Sequence, residues 1–165
     1  MIYSILNYLD GKGLIGRASA HCDIPCGIYA PGPALIAAVS VVRLKDIAHD
    51  GASDDPVALA NLRARCTLRK EEEAEKVKQE VRVIWGDYFK PPLLEAQPNV
   101  HGLVHAIMQK ASACKQDVHR EDGLALVELV NEFAEIFWST KSVETVRKTC
   151  PYPPQLKLVY PVLAD

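Results

Sequence analysis

Apolar residues recur with helical spacing in four stretches of the chain, separated by proline, glycine and aspartate. The first, approximately Ala34 to Ala48, is apolar almost all round over its first two turns, which implies burial on more than one side. Gly51 to Asp54 reads as a loop, and Asp54 or Asp55 before Pro56 makes a good helix start. Leu59, Leu62, Cys66, Ala74, Val77, Val81, Ile84, Trp85 and Tyr88 then follow at helical intervals. This spacing predicts one long helix, on the order of 50 Å, stopped by Pro91 and Pro92. A third helix, about Pro98 to Lys115, gathers Val100, Leu103, Val104, Ile107 and Ala111 on one face. A fourth, about Glu121 to Ser142, gathers Val127, Val130, Phe133 and Phe137. Four amphipathic helices with short connections and no convincing strand predict an all-α, up-down-up-down four-helix bundle over 33–142. The remaining 143–165 contains Pro151, Pro153, Pro154 and Pro161; its apolar part, Leu156 to Val162, is expected to lie against the bundle or a neighbouring subunit.

A length of 165 residues suits one domain with a sizeable core. With 19 basic against 21 acidic residues there is no electrostatic case for nucleic acid or an acidic membrane surface as a partner. The charged run from Arg69 to Glu80 mixes signs and reads as a solvated helix face. No apolar run approaches the length needed to span a bilayer. Five cysteines, odd in number and irregularly spaced, argue against a disulfide framework, and free thiols point to a reducing, cytoplasmic location. Cys66 falls on an apolar stripe and is expected in the core, Cys114 lies late in the third helix, and Cys150 has no assigned role. Ile2 to Leu9 is apolar but carries Ser4 and Asn7 with no basic residue before it. It makes a poor secretory signal, although Ala18-Ser19-Ala20 suits a signal peptidase.

Candidate chemistry is concentrated in His21-Cys22-Asp23-Ile24-Pro25-Cys26-Gly27-Ile28-Tyr29. Soft thiolates beside imidazole are a transition-metal donor set, and here they are contiguous. A cut between Ala20 and His21 would place the His21 amine, the Cys22 amide nitrogen and the Cys22 thiolate in series, each neighbouring pair closing a five-membered chelate ring. Cys26, returned by a turn, supplies a fourth donor, and the His21 imidazole can bind from above. A planar nitrogen and sulfur set favours Ni(II) or Cu(II) over tetrahedral zinc. Pro25 and Gly27 fit the turn: proline restricts the backbone, and glycine reaches conformations closed to other residues. A rival pair, His101 and His105, stands four apart on the third helix; without a carboxylate motif it reads as two surface or boundary histidines.

These residues resemble the nickel superoxide dismutase family, whose mature chain begins His-Cys-Asp-x-Pro-Cys-Gly-x-Tyr. Every fixed position of that pattern is present from His21 to Tyr29. A second family signature corresponds to Trp85-Gly86-Asp87-Tyr88-Phe89-Lys90-Pro91-Pro92, and Ile136-Phe137-Trp138-Ser139-Thr140-Lys141 is similar to the family's last helix. The resemblance implies a superoxide dismutase that cycles Ni(II) and Ni(III), one nickel per subunit, in a homohexamer of four-helix bundles. It implies that 1–20 is a pro-segment removed by a dedicated peptidase at Ala20–His21, that 21–32 is the nickel hook, and that His21, Cys22 and Cys26 are the metal ligands. The chain that starts at Met1 is then the uncut form, with its hook unassembled or bound differently. Tyr29 and Tyr88 occupy the places of the tyrosines over the metal's open face, and Asp23 is expected to order the hook by accepting hydrogen bonds. The family's glutamate beside the axial imidazole is replaced here by Ala37; Glu73, at the position of a basic partner on the second helix, is the substitute candidate. Two alternatives stand beside this reading: a nickel- or copper-binding bundle without turnover, and a thiol switch in which Cys22 and Cys26 form a disulfide.

Overall fold

The computed structural model describes residues 27–163. Its helices are α1 (Gly32–Asp50), α2 (Pro56–Val83), a π turn (Ile84–Tyr88), α3 (Pro91–Ala96), α4 (Val100–Gln116) and α5 (Arg120–Ser139). Helix starts follow the local chemistry read in the sequence. Pro56 occupies the first turn of α2, where no amide donor is needed, and the Asp55 carboxylate caps it by accepting from the Val57 N–H at 2.9 Å. The four long helices pack α1 against α2 and α5, and α4 against α2 and α5, so neighbours in sequence are neighbours in space. This is the expected four-helix bundle.

The core is apolar and closely packed. Phe133, Phe137, Ile107, Leu126, Val41, Val42, Val77, Val81 and Val130 are all fully buried. At the α1–α5 crossing Gly123 lies so near Val42 that a Cβ at this position would stand 2.9 Å from Val42 Cγ2, which is why a side chain is missing there. Two lysines are buried at the α4–α5 end of the bundle. Lys45 Nζ reaches Asp117 Oδ1 and the His119 carbonyl, both at 2.7 Å; Lys70 Nζ donates to the carbonyls of Lys115 (3.1 Å) and Asp117 (2.6 Å). They supply donors for carbonyls that the end of α4 leaves without intrahelical partners.

Two features depart from the sequence reading. The long second helix does not run unbroken to Pro91: after Val83 it widens into the π turn, closed by the Phe89 N–H to the Ile84 carbonyl at 3.3 Å. The 143–165 segment, for which no strand was expected, forms an antiparallel hairpin of β1 (Thr145–Thr149) and β2 (Lys157–Pro161), with Val146 opposite Tyr160 and Lys148 opposite Leu158. The fourth helix accordingly ends at Ser139, short of the expected Ser142. Only half of β2 is apolar and inward, with Leu158 and Val159 buried, so the alternation that marks a strand was too short to stand out. The hairpin lies on α5 and is held there by polar groups. The buried Asn131 amide donates to the Lys157 carbonyl and its oxygen accepts from the Val159 N–H, each at 3.0 Å. Arg147 Nε donates to Glu135 at 2.6 Å, and its guanidinium also pairs with Glu128.

Candidate functional site

The described chain enters at Gly27, with φ at +68°, in the left-handed region. Among the described residues nothing lies within 4 Å of where its Cβ would stand, and the left-handed backbone conformation itself favours glycine. This turn and Ile28 lead to Tyr29, whose ring meets that of Tyr88 with centroids 5.7 Å apart and planes tilted by 52°. Two residues far apart in sequence and singled out for the same site are thereby brought together. His21, Cys22, Asp23, Cys26 and the Ala20–His21 bond lie outside the described residues.

The π turn is the local reason that Tyr88 arrives there. One extra residue in a helical turn changes the direction of every side chain that follows, and π turns commonly occur at functional positions. Tyr88 is then wedged: its ring lies 5.4 Å from Phe89 and 5.0 Å from the buried Phe137, while Lys141 Nζ sits 4.7 Å above its ring centroid. The ammonium places positive charge against the ring face, a cation–π contact, and so beside the phenol pair. The Tyr88 hydroxyl is 2.7 Å from Thr140 Oγ1.

Thr140 and Lys141 were quoted in the sequence only as part of a helix motif, with no role. Their signal was positional: they follow the last turn of α5, where a threonine hydroxyl can bond the carbonyl three residues back, here that of Phe137 at 2.7 Å.

Glu73 is not brought to the tyrosine pair. It lies about four turns before Tyr88, on the order of 20 Å along the helix, and lines an open cleft between α1 and α2 with Ser40, Arg43 and Arg69. Ala37 is fully buried in the core, as a small residue against α2 and α5. His101 and His105 are exposed; His101 Nδ1 accepts the Trp85 indole N–H at 3.1 Å, which occupies one ring nitrogen. Among the described residues no three of His, Cys, Asp and Glu stand close enough to hold a metal. Cys66, Cys114 and Cys150 are free and buried, separate from one another. The donor set expected from the sequence precedes Gly27 and lies outside the described residues. With two thiolates, an imidazole and backbone nitrogens within six residues, that set suits a borderline-soft divalent ion such as nickel.

The sequence model of a family described as nickel-containing superoxide dismutase matches residues 16–141. The superoxide dismutase (Ni) of Streptomyces seoulensis is 38% identical over 125 residues, covering 76% of this chain and 91% of the relative. That of Streptomyces coelicolor is 39% identical over 123 residues, covering 74% and 89%. Among solved structures, native nickel superoxide dismutase aligns with a TM-score of 0.66 at 38% identity, over 73% of this chain and 99% of that one. An apo form aligns at 0.63 and 35% identity, over 70% and 98%. The hairpin lies outside the matched range.

Proposed function

Because the chain belongs to the nickel-containing superoxide dismutase family, we propose that its reaction takes place where the hook meets Tyr29 and Tyr88. The activity is disproportionation of superoxide: two superoxide anions and two protons give one dioxygen and one hydrogen peroxide, with nickel as the cofactor. The proposed ligands are the His21 amine and imidazole, the Cys22 amide and thiolate, and the Cys26 thiolate. Bound nickel supplies the one-electron relay, Ni(II) to Ni(III) and back, which strong thiolate and amide donation brings within reach.

The protein's own residues have three tasks. The first is access: the two phenol rings touch, with centroids 5.7 Å apart, and together present one aromatic wall that narrows entry to something the size of superoxide. The second is charge: the Lys141 ammonium beside Tyr88 favours approach of an anion. The third is protons, which Tyr29, a bound water or a protonated thiolate delivers to the peroxide product. Asp23 is assigned to ordering the hook. Glu73, proposed from the sequence as the acceptor for the His21 imidazole N–H, lines the cleft with Arg43 and Arg69 about 20 Å along the helix from Tyr88, a position that does not support that role at the same site.

We further assign removal of 1–20 to a processing peptidase, because an acylated His21 nitrogen is an amide and a poor donor. A homohexamer in the cytoplasm completes the reading. Exposed Ile28 and, early in α1, Ile36 offer apolar surface for subunit contact, and no described helix is long and apolar enough to cross a membrane.

The observation that carries this function is the Tyr29–Tyr88 pair at the end of a complete hook sequence. Superoxide turnover per bound nickel, measured for the full chain and for a chain beginning at His21, tests it. Turnover confined to the cut form is expected. Nickel bound by the cut form without turnover would leave a metal trap, and a Cys22–Cys26 disulfide formed on mild oxidation without nickel would leave a thiol switch.

A further inference from the structure

Tyr88 and Thr140 share one hydrogen bond that can be written in two directions, and a neighbouring contact decides between them. Thr140 Oγ1 lies 2.7 Å from the Phe137 carbonyl and 2.7 Å from the Tyr88 hydroxyl. A carbonyl can only accept, and threonine has one hydroxyl proton. If Thr140 gave that proton to Tyr88, two oxygens with no proton between them would face each other at 2.7 Å. The Thr140 proton therefore goes to Phe137, and the phenol proton of Tyr88 goes to Thr140.

We propose that Thr140 is a positioning residue that engages the Tyr88 proton on its own oxygen, so that Tyr88 meets the substrate only as a hydrogen-bond acceptor. The proposal rests on Tyr88 standing at the hook, as argued above, and assigns the two phenols unequal roles. Superoxide is an anion and needs donors. Tyr88 offers it a lone pair, so it orients a protonated group, such as a water or the hydroperoxide product, and does not donate to the anion. Any proton given by this pair of phenols then comes from Tyr29. The Phe137 carbonyl is held by the α5 backbone, and Phe137 itself is fully buried, so the relay from carbonyl to threonine to tyrosine is anchored in the core. Lys141, next along the chain, sits over the same ring and limits its rotation.

The first test needs no metal. The tyrosine ring doublet in ultraviolet resonance Raman spectra reports whether a phenol donates or accepts, and subtracting the spectrum of Tyr88→Phe from that of the full chain isolates Tyr88 among six tyrosines. A donor signature is expected. It should disappear in Thr140→Val, which keeps the shape and loses the hydroxyl, and return in Thr140→Ser. An acceptor signature in the unaltered chain, or no change in Thr140→Val, would overturn the proposal. The second test is turnover of the nickel-loaded chain released at His21. Thr140→Val should lower it by roughly two- to tenfold, the scale of one hydrogen bond, with nickel content unchanged and Thr140→Ser restoring it. Equal turnover in Thr140→Val and the parent would also overturn the role. Absence of turnover in the parent would instead sink the dismutase reading and leave the Raman result standing.

Discussion

At the scale of single residues, buried polar groups carry the sharpest consequences. Asn131 closes both a donor and an acceptor onto β2 from within the core, and replacing it with alanine strands the Val159 N–H and the Lys157 carbonyl. A loss of about 2–3 kcal/mol is expected, read as a lower urea midpoint with an unchanged slope. Asn131→Asp retains the acceptor and loses the donor, and should fall no less far because it also buries a charge. Cys114 gives a second, pH-dependent case. Burial pushes its thiol above the ordinary value of 9.0, so above that pH the unfolded chain gives up a proton that the folded chain keeps. The folded state then holds more protons, and stability falls as pH rises through this window. Lys70, held below 10.5 chiefly by burial, acts with the opposite sign as pH rises toward 10.5, because there the unfolded chain holds a proton that the folded chain has lost. Cys114→Ala should flatten the decline between about pH 8 and pH 10 in urea midpoints; a slope unchanged from the parent would show that another group sets it.

At the scale of elements, the π turn and the hairpin are what the sequence left hidden. Helical spacing carried Ile84, Trp85 and Tyr88 on the same stripe as Val77 and Val81, because a single widened turn shifts the phase by one residue at the very end of the pattern. Tyr88 could therefore be picked out, whereas the way its ring comes to face Tyr29 could not. Inserting an alanine after Gly86, an exposed residue with no other described atom near its Cβ position, should turn Tyr88 by about 100° about the helix axis. Helix content by circular dichroism should hold while superoxide turnover drops at least tenfold; full activity would show that the turn does not aim the ring. The bundle itself was legible, since four long amphipathic stretches between strong breakers leave few other arrangements. The hairpin was not, because its attachment depends on Asn131, Glu128 and Glu135 of α5, which in one dimension read as an ordinary polar face. Arg147→Ala removes the exposed clamp on that face and is expected to cost about 1 kcal/mol, well below the Asn131 change, in the same urea measurement.

At the scale of the whole molecule, the site divides into a part written in one stretch of sequence and a part that only folding assembles. The proposed donor set could be singled out because its members are adjacent. Thr140 and Lys141 were not, since their meaning comes from Tyr88, which lies 52 residues before Thr140. Subunit assembly belongs to this scale too. Ile28 and, early in α1, Ile36 are exposed on a single copy; if the proposed hexamer uses this surface, Ile36→Glu should shift the mass measured by light scattering from six copies toward one, and a mass unchanged by that substitution would remove α1 from the interface.

The separation of those two parts also sets an order of events. Adjacent donors need no tertiary structure to take up a metal, so capture is available to a nascent or unfolded chain once His21 is released. The phenol gate needs Tyr29 from the start of the chain, Tyr88 from its middle and Thr140 from the end of α5, so it exists only after the last helix has docked. Loading and gating are thus separable in time: a chain can carry nickel while still ungated, exposing the ion to other reductants and oxidants. With the proposed cleavage before His21, the interval between that cut and docking of α5 would be a period of uncontrolled redox chemistry, and a pro-segment that withheld the His21 amine until the bundle had closed would remove it.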